Sequence, residues 1–355
     1  MAKRNSGIEG LWSLCAWERP EVQEVGRLPM RPALVSFTDP EAARTRTDAE
    51  SESFLSLNGS WKFGLYENPA EVPEAAWQKG RVDRDWEEIQ LPGAWSLQGW
   101  DRPHYTNVQM PFSEEPGQVP AGNPTGVHRL RFELPPAMRG RRVILQVGAA
   151  ESVLHVHLNG SGVGLSKDSK LAAEFDVTDY LETGENLLVL TVVRFSDATF
   201  LEDQDHWNFG GIHRDIFLRA TALDGWIEDL CAVADFDPES EKGTLDLSVN
   251  VGFPGAAETG WHVQTALWDP RGREVRRAGL EAEVPGAPGD WLTAAYGWKG
   301  TQAQFEVALP RVRPWSAESP SLYELVVSLL DPEGEIVESV QQRIGFRRIE
   351  VGGRE

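Results

Sequence analysis

Residues 152–164 read SVLHVHLNGSGVG, and this stretch decides the class of fold. Leu154, Val156 and Leu158 occupy alternate positions. They therefore share one face of a β-strand, because successive side chains of a strand point to opposite faces. An Asn-Gly pair follows Leu158 directly, and this dipeptide between β-rich runs is a strong signal for a tight hairpin turn. The stretch predicts a strand, a two-residue turn and a return strand.

The segments around this hairpin also have the residue patterns of β-strands. In HRLRFELP, residues 128–135, apolar and charged residues alternate. The run NLLVLTVVRF, residues 186–195, is apolar at successive positions, which is typical of a strand buried on both faces in the middle of a sheet. Many short strands, frequent Gly and Pro, and the absence of a long amphipathic helix predict an antiparallel sandwich of jelly-roll type over residues 51–220.

A second series of strands begins after Ala220. Apolar residues alternate in TLDLSVNV, residues 244–251, and Asp-Pro-x-Gly tetrapeptides at 269–272 and 331–334 each separate two β-rich runs. Asp first, Pro second and Gly last match a type I turn position by position. About seven short strands in roughly 120 residues is the size of an immunoglobulin-like sandwich, which we expect at 221–346. The predicted fold class is all-β.

The two ends of the chain have a different character. Residues 1–50 are rich in Pro, Arg and Glu and show no sustained period, which indicates an extended segment that lies across its neighbours. Residues 347–355, RRIEVGGRE, resemble a chain that leaves the second sandwich for a further domain.

The charge balance limits the classes of partner. The chain has 34 Lys and Arg against 55 Asp and Glu, a formal net charge of −21. Nucleic acid is not expected as a partner, because its binding depends on cationic side chains that neutralise phosphates. No apolar run has the length of a signal peptide or a membrane span, so we expect no membrane partner and a cytoplasmic location. The sequence has only two cysteines, Cys15 and Cys231, which are too few for a disulfide framework, so we expect both to be free thiols.

One acidic stretch follows neither the helical nor the strand period. Residues 197–215 read DATFLEDQDHWNFGGIHRD and contain five carboxylates, at Asp197, Glu202, Asp203, Asp205 and Asp215. Such groups repel one another, so the fold must separate them, pair them with Arg214 or His206, or give them a cation or sugar hydroxyls to bind. From residue types alone, the stretch is a sugar or cation site, or a solvated loop.

A second candidate site lies at residues 99–112, GWDRPHYTNVQMPF. Its Gly and Pro content predicts a loop, and the loop contains Trp100, His104, Tyr105 and Asn107. Aromatic faces beside an amide suit sugar recognition, because carbohydrates present apolar ring faces and directional hydroxyls. The alternative is a loop whose aromatic residues only cover the end of the sandwich.

No complete catalytic motif is present: the sequence has no G-x-S-x-G, phosphate loop, dinucleotide turn or H-E-x-x-H. His155 and His157 would place their imidazoles on one face of a strand, an arrangement that metals can use. No third ligand is evident, so we expect an exposed polar face of a half-buried strand instead.

Longer segments of the chain resemble a known family. The strings LNGSWKFGLYENP, LPGAWSLQGWDRPHYTNVQMPF, VPAGNPTGVHRLRFELP, RPWSAESPSLYELVV and IGFRRIEV, with the stretch from GLSKDSK to GGIHRD, occur in the same order as in the amino-terminal portion of bacterial β-galactosidases of glycoside hydrolase family 2. The likeness covers nearly the whole chain. The PHYTNV and FLEDQDHW segments are similar to the galactosidase branch in particular.

The resemblance implies that sugar contacts and catalysis belong to different domains. In that family a jelly-roll sugar-binding domain and an immunoglobulin-like domain pack beside a (β/α)8 barrel, which holds two catalytic glutamates of a retaining mechanism. We expect this sequence to lack the barrel and therefore to be inactive alone. The family's pattern assigns galactose contact to Asn107, and sugar contact with partial sodium ligation to Asp205. Magnesium is expected only in the barrel. Gly210 and Gly211 would let the chain turn near Trp207.

Three functions remain open at this point. The first is the non-catalytic front part of a β-galactosidase, with a galactoside as substrate and a barrel in the same or a separate chain as partner. The second is a free-standing carbohydrate-binding protein, and the third is another family 2 glycosidase such as a β-glucuronidase or β-mannosidase. A homo-oligomer is also expected from the family, with residues 1–50 as a plausible contact arm.

Overall fold

The computed structural model describes residues 7–350 and 352, except for residues 107–109, 111, 116, 203, 276–277 and 287–299. The chain forms two compact units, one built from residues 1–30 and 54–219 and the other from residues 31–53 and 220–355. The amino-terminal segment is thus divided between the two units.

Short strands provide most of the regular structure. In chain order they are β1 (Glu24–Val25), β2 (Phe54–Ser56), β3 (Gly59–Tyr66), β4 (Glu87–Leu91), β5 (Gly93–Ala94), β6 (His104–Thr106), β7 (Thr125–Glu133), β8 (Arg142–Val147), β9 (Ala150–Glu151), β10 (Val153–Leu158), β11 (Ser161–Ser166), β12 (Ala173–Asp176), β13 (Glu185–Val193), β14 (His206–Asn208), β15 (Gly211–Ile212), β16 (Ile216–Thr221), β17 (Trp226–Asp237), β18 (Lys242–Gly252), β19 (His262–Trp268), β20 (Glu281–Glu283), β21 (Gln302–Leu309), β22 (Tyr323–Leu330) and β23 (Ile336–Ile344).

Helices are few and short in the described residues. α1 (Pro40–Thr45) begins after Asp39, whose Oδ1 accepts a hydrogen bond from the Ala42 amide at 2.8 Å, an N-cap that satisfies one free donor of the first turn. The remaining helices are 3₁₀ turns at Trp12–Leu14, Ala16–Glu18, Asp48–Glu50, Pro69–Glu71, Glu74–Trp77, Trp95–Leu97, Pro136–Met138, Thr178–Tyr180 and Asp197–Phe200. None of these described helices is long and apolar enough to cross a membrane.

The first unit is a jelly-roll type of sandwich, as the sequence predicts. Its larger sheet has seven strands in the order β1-β11-β10-β13-β7-β3-β4, and a second sheet has four in the order β12-β8-β16-β2. The apolar run of β13 occupies the central position of the larger sheet, paired antiparallel with β10 and β7. Every residue of β13 after Glu185 is buried, which confirms the prediction of a strand covered on both faces.

The hairpin predicted at residues 152–164 is present. Leu158 at the end of β10 pairs with Ser161 at the start of β11, so two residues form the turn. Asn159 and Gly160 have φ angles of 54° and 86°. Positive φ at both central positions is the requirement of a type I′ turn, which Asn-Gly meets at low steric cost.

The expectation that His155 and His157 form an exposed polar face is wrong. Both side chains are buried, as is the whole of β10. The His155 ring lies 4.8 Å from the Trp12 ring, and the His157 ring stacks 4.7 Å from the Trp77 ring. Residues from two distant 3₁₀ turns cover this face of the sheet, and no period within β10 reveals them.

The second unit is an immunoglobulin-like sandwich, again as predicted. A three-stranded sheet, β17-β18-β21, faces a four-stranded sheet, β20-β19-β22-β23. The alternating residues of β18, from Leu245 to Val251, are buried in one cluster with Leu325, Val327 and Leu329 of β22. Both predicted Asp-Pro-x-Gly turns are present, because the Gly272 amide donates to Asp269 O at 2.8 Å and the Gly334 amide to Asp331 O at 2.9 Å.

Candidate functional site

The two candidate stretches, 99–112 and 197–215, come together in the first unit. β6 from the first stretch and β14 from the second form a two-stranded antiparallel sheet, in which Tyr105 pairs with Trp207 and His104 with Asn208. The sequence predicts a loop for both stretches and misses this pairing. Each strand has only three residues, so neither contains enough of a period to be recognised.

Asp205 lies at the edge of this ladder and is exposed to solvent. Its carboxylate accepts a hydrogen bond from the phenol of Tyr105. This bond raises the pKa of Tyr105 above its ordinary value, because ionisation would remove the donated proton and place a phenolate beside a carboxylate. Within the described part of the chain, the second oxygen of Asp205 makes no hydrogen bond, and it can accept one from a ligand.

An exposed aromatic surface lies beside this carboxylate. Tyr105 is 47% exposed and Trp207 is 55% exposed. Their ring centroids are 5.5 Å apart and the ring planes are tilted by 44°. Large aromatic residues that remain open to solvent beside a free acceptor are typical of carbohydrate recognition, because a sugar ring offers both C–H faces and hydroxyl donors.

Asn107, the second predicted sugar contact, lies outside the described residues. The described neighbour that precedes it is Thr106, which pairs through its backbone with His206 in the ladder. The role of Asn107 stays a prediction.

A buried arginine that the sequence analysis did not select fixes both strands of the ladder. Arg194 follows β13 directly and is only 4% exposed. Its guanidinium forms an ion pair with Asp101, contacts His104 Nδ1 at 2.7 Å and donates to Asn208 O at 3.4 Å. Asp101 and His104 belong to the first stretch and Asn208 to the second, so one side chain ties the two stretches together. The sequence contains one signal for this residue, because Arg194 is a charged residue at the end of the apolar run of β13.

The remaining carboxylates of the acidic stretch have structural partners. Asp197 is 8% exposed and pairs with the buried ammonium of Lys167. Lys167 Nζ also donates to Ala16 O at 3.0 Å and Arg19 O at 2.9 Å. All three donors of this ammonium are therefore satisfied, as a buried charge requires. The arrangement anchors the segment around Ala16–Arg19 to the first unit.

Glu202 and Asp215 are bonded within the fold as well. Glu202 accepts from both the amide and the hydroxyl of Ser169, and burial raises the pKa of its carboxyl. Asp215 accepts from Asn58 Nδ2 at 3.0 Å, whereas Arg214 donates to Lys170 O at 2.9 Å. Arg214, one of the two cations considered as a partner for these carboxylates, is therefore bonded to a backbone carbonyl, and Asp215 to Asn58. Asp203 lies outside the described residues.

The glycines of the acidic stretch permit a close approach, but to a different tryptophan from the one expected. Gly210 has φ 72°, and a Cβ built there would lie 2.7 Å from the indole of Trp95. Trp95 is fully buried, so this neighbour cannot move away at low cost. A glycine is required here because any other residue meets both backbone strain and a clash.

The structure also identifies an acidic group that the sequence analysis overlooked. Glu151 is 7% exposed and lies 3.3 Å from His213 Nε2 and 3.5 Å from Lys170 Nζ. Burial raises the pKa of Glu151, but His213 and Lys170 outweigh burial and hold the pKa at about 2. Glu151 is therefore a permanently charged structural residue near neutral pH.

The described residues of the site can supply one ligand to a hard cation. Carboxylate oxygen is the donor type that such ions prefer, and Asp205 has one oxygen available. Among the residues that the structure describes, no three His, Cys, Asp or Glu side chains are grouped closely enough to hold a metal ion. Further ligands would have to come from elsewhere.

Two family models match the chain over most of its length. The model described as "Glycosyl hydrolases family 2, sugar binding domain" matches residues 54–222, and the model described as "Glycosyl hydrolases family 2" matches residues 226–347. The chain belongs to glycoside hydrolase family 2. Both the ladder and Asp205 lie within the part matched by the sugar-binding model.

Curated relatives in this family include several β-galactosidases. The β-galactosidases of Psychromonas ingrahamii and Vibrio vulnificus are 36% identical over 336 and 337 residues, and that of Pseudoalteromonas haloplanktis is 32% identical over 341 residues. Each match covers 94% of this chain and 31% of the relative. The chain thus spans about a third of the length of the curated relatives it matches.

Solved structures of two β-glucuronidases have the same fold. A β-glucuronidase of Bacteroides uniformis matches 82% of this chain and 32% of its own, with a TM-score of 0.63 and 20% identity. The β-glucuronidase of Bifidobacterium dentium complexed with coumarin-3-O-glucuronide matches 84% of this chain and 49% of its own, with a TM-score of 0.65 and 22% identity. At these identities the likeness shows the fold alone.

Proposed function

We propose that this chain is the amino-terminal, non-catalytic portion of a β-galactosidase that hydrolyses terminal β-D-galactosides such as lactose with retention of configuration. The observation that carries the proposal is the Tyr105–Asp205 hydrogen bond within the β6–β14 ladder. It unites the two segments that most resemble the galactosidase branch, and it leaves a carboxylate oxygen and two aromatic faces open to a ligand.

The comparisons favour a galactoside over a glucuronide. Identity to the β-galactosidases reaches 36% over 94% of the chain, whereas identity to the β-glucuronidases of similar fold is 20–22%. A glucuronide also carries a carboxylate. The site presents the negative charge of Asp205, which would repel that substrate and accept hydrogen bonds from neutral hydroxyls instead.

The role of the site in our proposal is to bind and orient the sugar. Asp205 accepts from galactose hydroxyls, Trp207 and Tyr105 pack on the ring, and Asn107 adds an amide contact. Arg194 positions both strands of the ladder. A sodium ion bound with Asp205 as one ligand would neutralise that carboxylate and order the sugar contacts. We place any magnesium site in the barrel.

The chemical steps belong to a partner in this proposal. A (β/α)8 barrel, in the same or a separate polypeptide, supplies the two glutamates that act as acid/base and nucleophile. The sugar-contacting groups of this chain add binding energy at that site, which raises the rate only insofar as the contacts tighten in the transition state.

The decisive experiment is hydrolysis of a chromogenic β-galactoside by the purified 355-residue chain, alone and mixed with a barrel fragment from one of the 36%-identical relatives. We expect no turnover by the chain alone, turnover on mixing, and loss of that turnover in Asp205→Ala. Asp85→Ala serves as the matched control, because Asp85 is an exposed aspartate of the same unit outside the ladder.

Two results would contradict the proposal. Turnover by the chain alone would mean that it contains catalytic groups of its own. Hydrolysis of a β-glucuronide or β-mannoside in preference to the β-galactoside would favour another family 2 glycosidase.

A free-standing carbohydrate-binding protein is the second candidate, favoured by the exposure of Tyr105 and Trp207. Quenching of Trp fluorescence by galactose separates the two functions. Saturable binding at submillimolar concentration that is lost in Trp207→Ala would support the second candidate, and its absence would leave the first. The expected homo-oligomer is tested by light scattering of the same sample.

A further inference from the structure

A cavity lined by arginines lies in the second unit, outside the candidate site. Its volume is about 630 Å³, within the range of pockets that bind small organic molecules. Arg271, Arg273, Arg311 and Arg313 line it, together with the acidic residues Glu241 and Asp269. Four cationic against two anionic side chains is a local reversal of sign in a chain whose formal net charge is −21.

The two acidic side chains are already neutralised. Arg273 Nη2 lies 2.7 Å from Asp269 Oδ2, and Arg311 Nη2 lies 2.9 Å from Glu241 Oε2. The guanidinium groups of Arg271 and Arg313 have no partner among the residues that the structure describes. The cavity therefore retains two uncommitted cationic groups.

The main chain of both uncommitted arginines is held in place. The Arg271 amide donates to Asp269 Oδ1 at 2.8 Å within the Asp-Pro-x-Gly turn, and the Arg313 amide donates to Tyr323 Oη at 2.9 Å. Because these bonds use backbone donors, the guanidinium forks remain available. Binding would then require ordering of the side chains only, which lowers its entropic cost.

The floor of the cavity is apolar. It is formed by the buried side chains of Leu309 and Val312 and the half-buried side chains of Phe236 and Val275. A cationic rim above an apolar floor suits a molecule with an anionic group and a compact organic part. A long polyanion is a poor fit, because the negative charge of the rest of the chain would repel it.

We propose that this cavity binds a small molecule that carries a phosphate group. The forks of Arg271 and Arg313 donate to the phosphate oxygens, a geometry for which guanidinium is better suited than ammonium. The phosphate comes either from the free inorganic ion or from an organic ester, and the apolar floor favours the ester. The proposal is independent of the galactosidase function and concerns a different unit of the chain.

Isothermal titration calorimetry of the 355-residue chain tests the proposal, with inorganic phosphate, inorganic pyrophosphate, glucose 6-phosphate and glucose as probes. We expect saturable binding of the phosphate-bearing probes, none of glucose, and weakening as sodium chloride screens the charges. Tighter binding of glucose 6-phosphate than of inorganic phosphate would identify the ester as the ligand, and the reverse order the free ion.

Variants assign the binding to the two arginines. Arg271→Gln combined with Arg313→Gln should raise Kd roughly a hundredfold, because each charge-assisted hydrogen bond to phosphate strengthens binding about tenfold. Lysine at both positions keeps the charge without the fork and should give an intermediate Kd. Arg46→Gln is the matched control, because Arg46 is an exposed arginine of the same unit outside the cavity, and it should leave Kd unchanged.

The proposal is overturned by either of two results. One is the absence of saturable binding for all three phosphate-bearing probes at millimolar concentration. The other is a Kd in the double glutamine variant equal to that of the unaltered chain, with folding of the variant verified by its melting temperature.

Discussion

The phenol of Tyr105 donates a hydrogen bond to the carboxylate of Asp205, although the two residues are 100 positions apart in the chain. The bond depends on the antiparallel register that sets Tyr105 opposite Trp207. Asp205 thereby has one oxygen committed and one available. A carboxylate held in a fixed orientation recognises sugar hydroxyls better than a freely rotating one, because less side-chain entropy is lost on binding.

The first prediction concerns the ionisation of Tyr105. Because the hydrogen bond to Asp205 raises the pKa of this phenol, Asp205→Asn should lower the pKa towards the ordinary value of about 10. NMR of ¹³Cζ-labelled tyrosine as a function of pH measures the change. Asp85→Asn should leave the titration unaltered. An unchanged pKa in Asp205→Asn would show that the hydrogen bond does not form in solution.

The second prediction concerns the buried guanidinium of Arg194. Arg194→Met removes the ion pair with the partly exposed Asp101 carboxylate and the hydrogen bond of the buried guanidinium to Asn208 O, so the free energy of unfolding should fall by about 1.5–3 kcal/mol. Urea denaturation with hydrogen exchange of β13 measures the loss in the first unit. Arg131→Met, which removes a more exposed pair with Glu185, should cost less than about 1 kcal/mol.

A double variant separates charge from packing at this position. If the penalty comes from the unpaired carboxylate, adding Asp101→Asn to Arg194→Met should recover part of the lost stability. Equal stability of the single and double variants would instead assign the loss to packing of the arginine stem.

The third prediction concerns Lys167, whose ammonium holds Asp197 and the carbonyls of Ala16 and Arg19. Lys167→Met should release the segment around Arg19, giving rapid cleavage after Glu18 by a glutamate-specific protease and lowering the free energy of unfolding by about 3–5 kcal/mol. Lys170→Met is the control, since Lys170 is exposed and lies 3.5 Å from its partner Glu151. Equal cleavage rates in both variants would exclude the anchoring role.

The fourth prediction concerns the pH dependence of the free energy of unfolding. Burial lowers the pKa of His155 to about 3, and that of His157 to about 4, so both are neutral at pH 7. Because the unfolded chain has the higher pKa, it binds protons first, and stability falls as the pH drops below the unfolded value of about 6.5. The loss continues until the folded pKa is reached.

The size of this effect follows from the two pKa values. Between about pH 7.5 and about pH 5, each imidazole should cost about 2 kcal/mol. His157→Phe keeps a ring against Trp77 and removes the titrating group, so its urea midpoint should depend less on pH than that of the unaltered chain. An identical pH dependence would mean that His157 titrates normally in the folded state.

The local features of this protein were predicted well from the sequence. Alternation in β18, the apolar run of β13, the Asn-Gly hairpin and the Asp-Pro-x-Gly turns depend on neighbours within a few residues. Side-chain periodicity and turn chemistry are properties of such short windows, so they can be recognised from the sequence alone. Asp205 was selected through the family resemblance, and its sugar-binding role remains a prediction.

Tertiary structure alone decided which groups meet. The sequence shows five carboxylates in one stretch, but their partners are known only from the fold. Lys167 forms an ion pair with Asp197, Ser169 donates a hydrogen bond to Glu202, and Tyr105 donates one to Asp205. The burial of His155 and His157 likewise depends on Trp12 and Trp77, which approach from distant segments. Periodicity fixes which face of a strand a side chain occupies, whereas partners far apart in the chain are chosen by sheet order and packing, which no local pattern encodes.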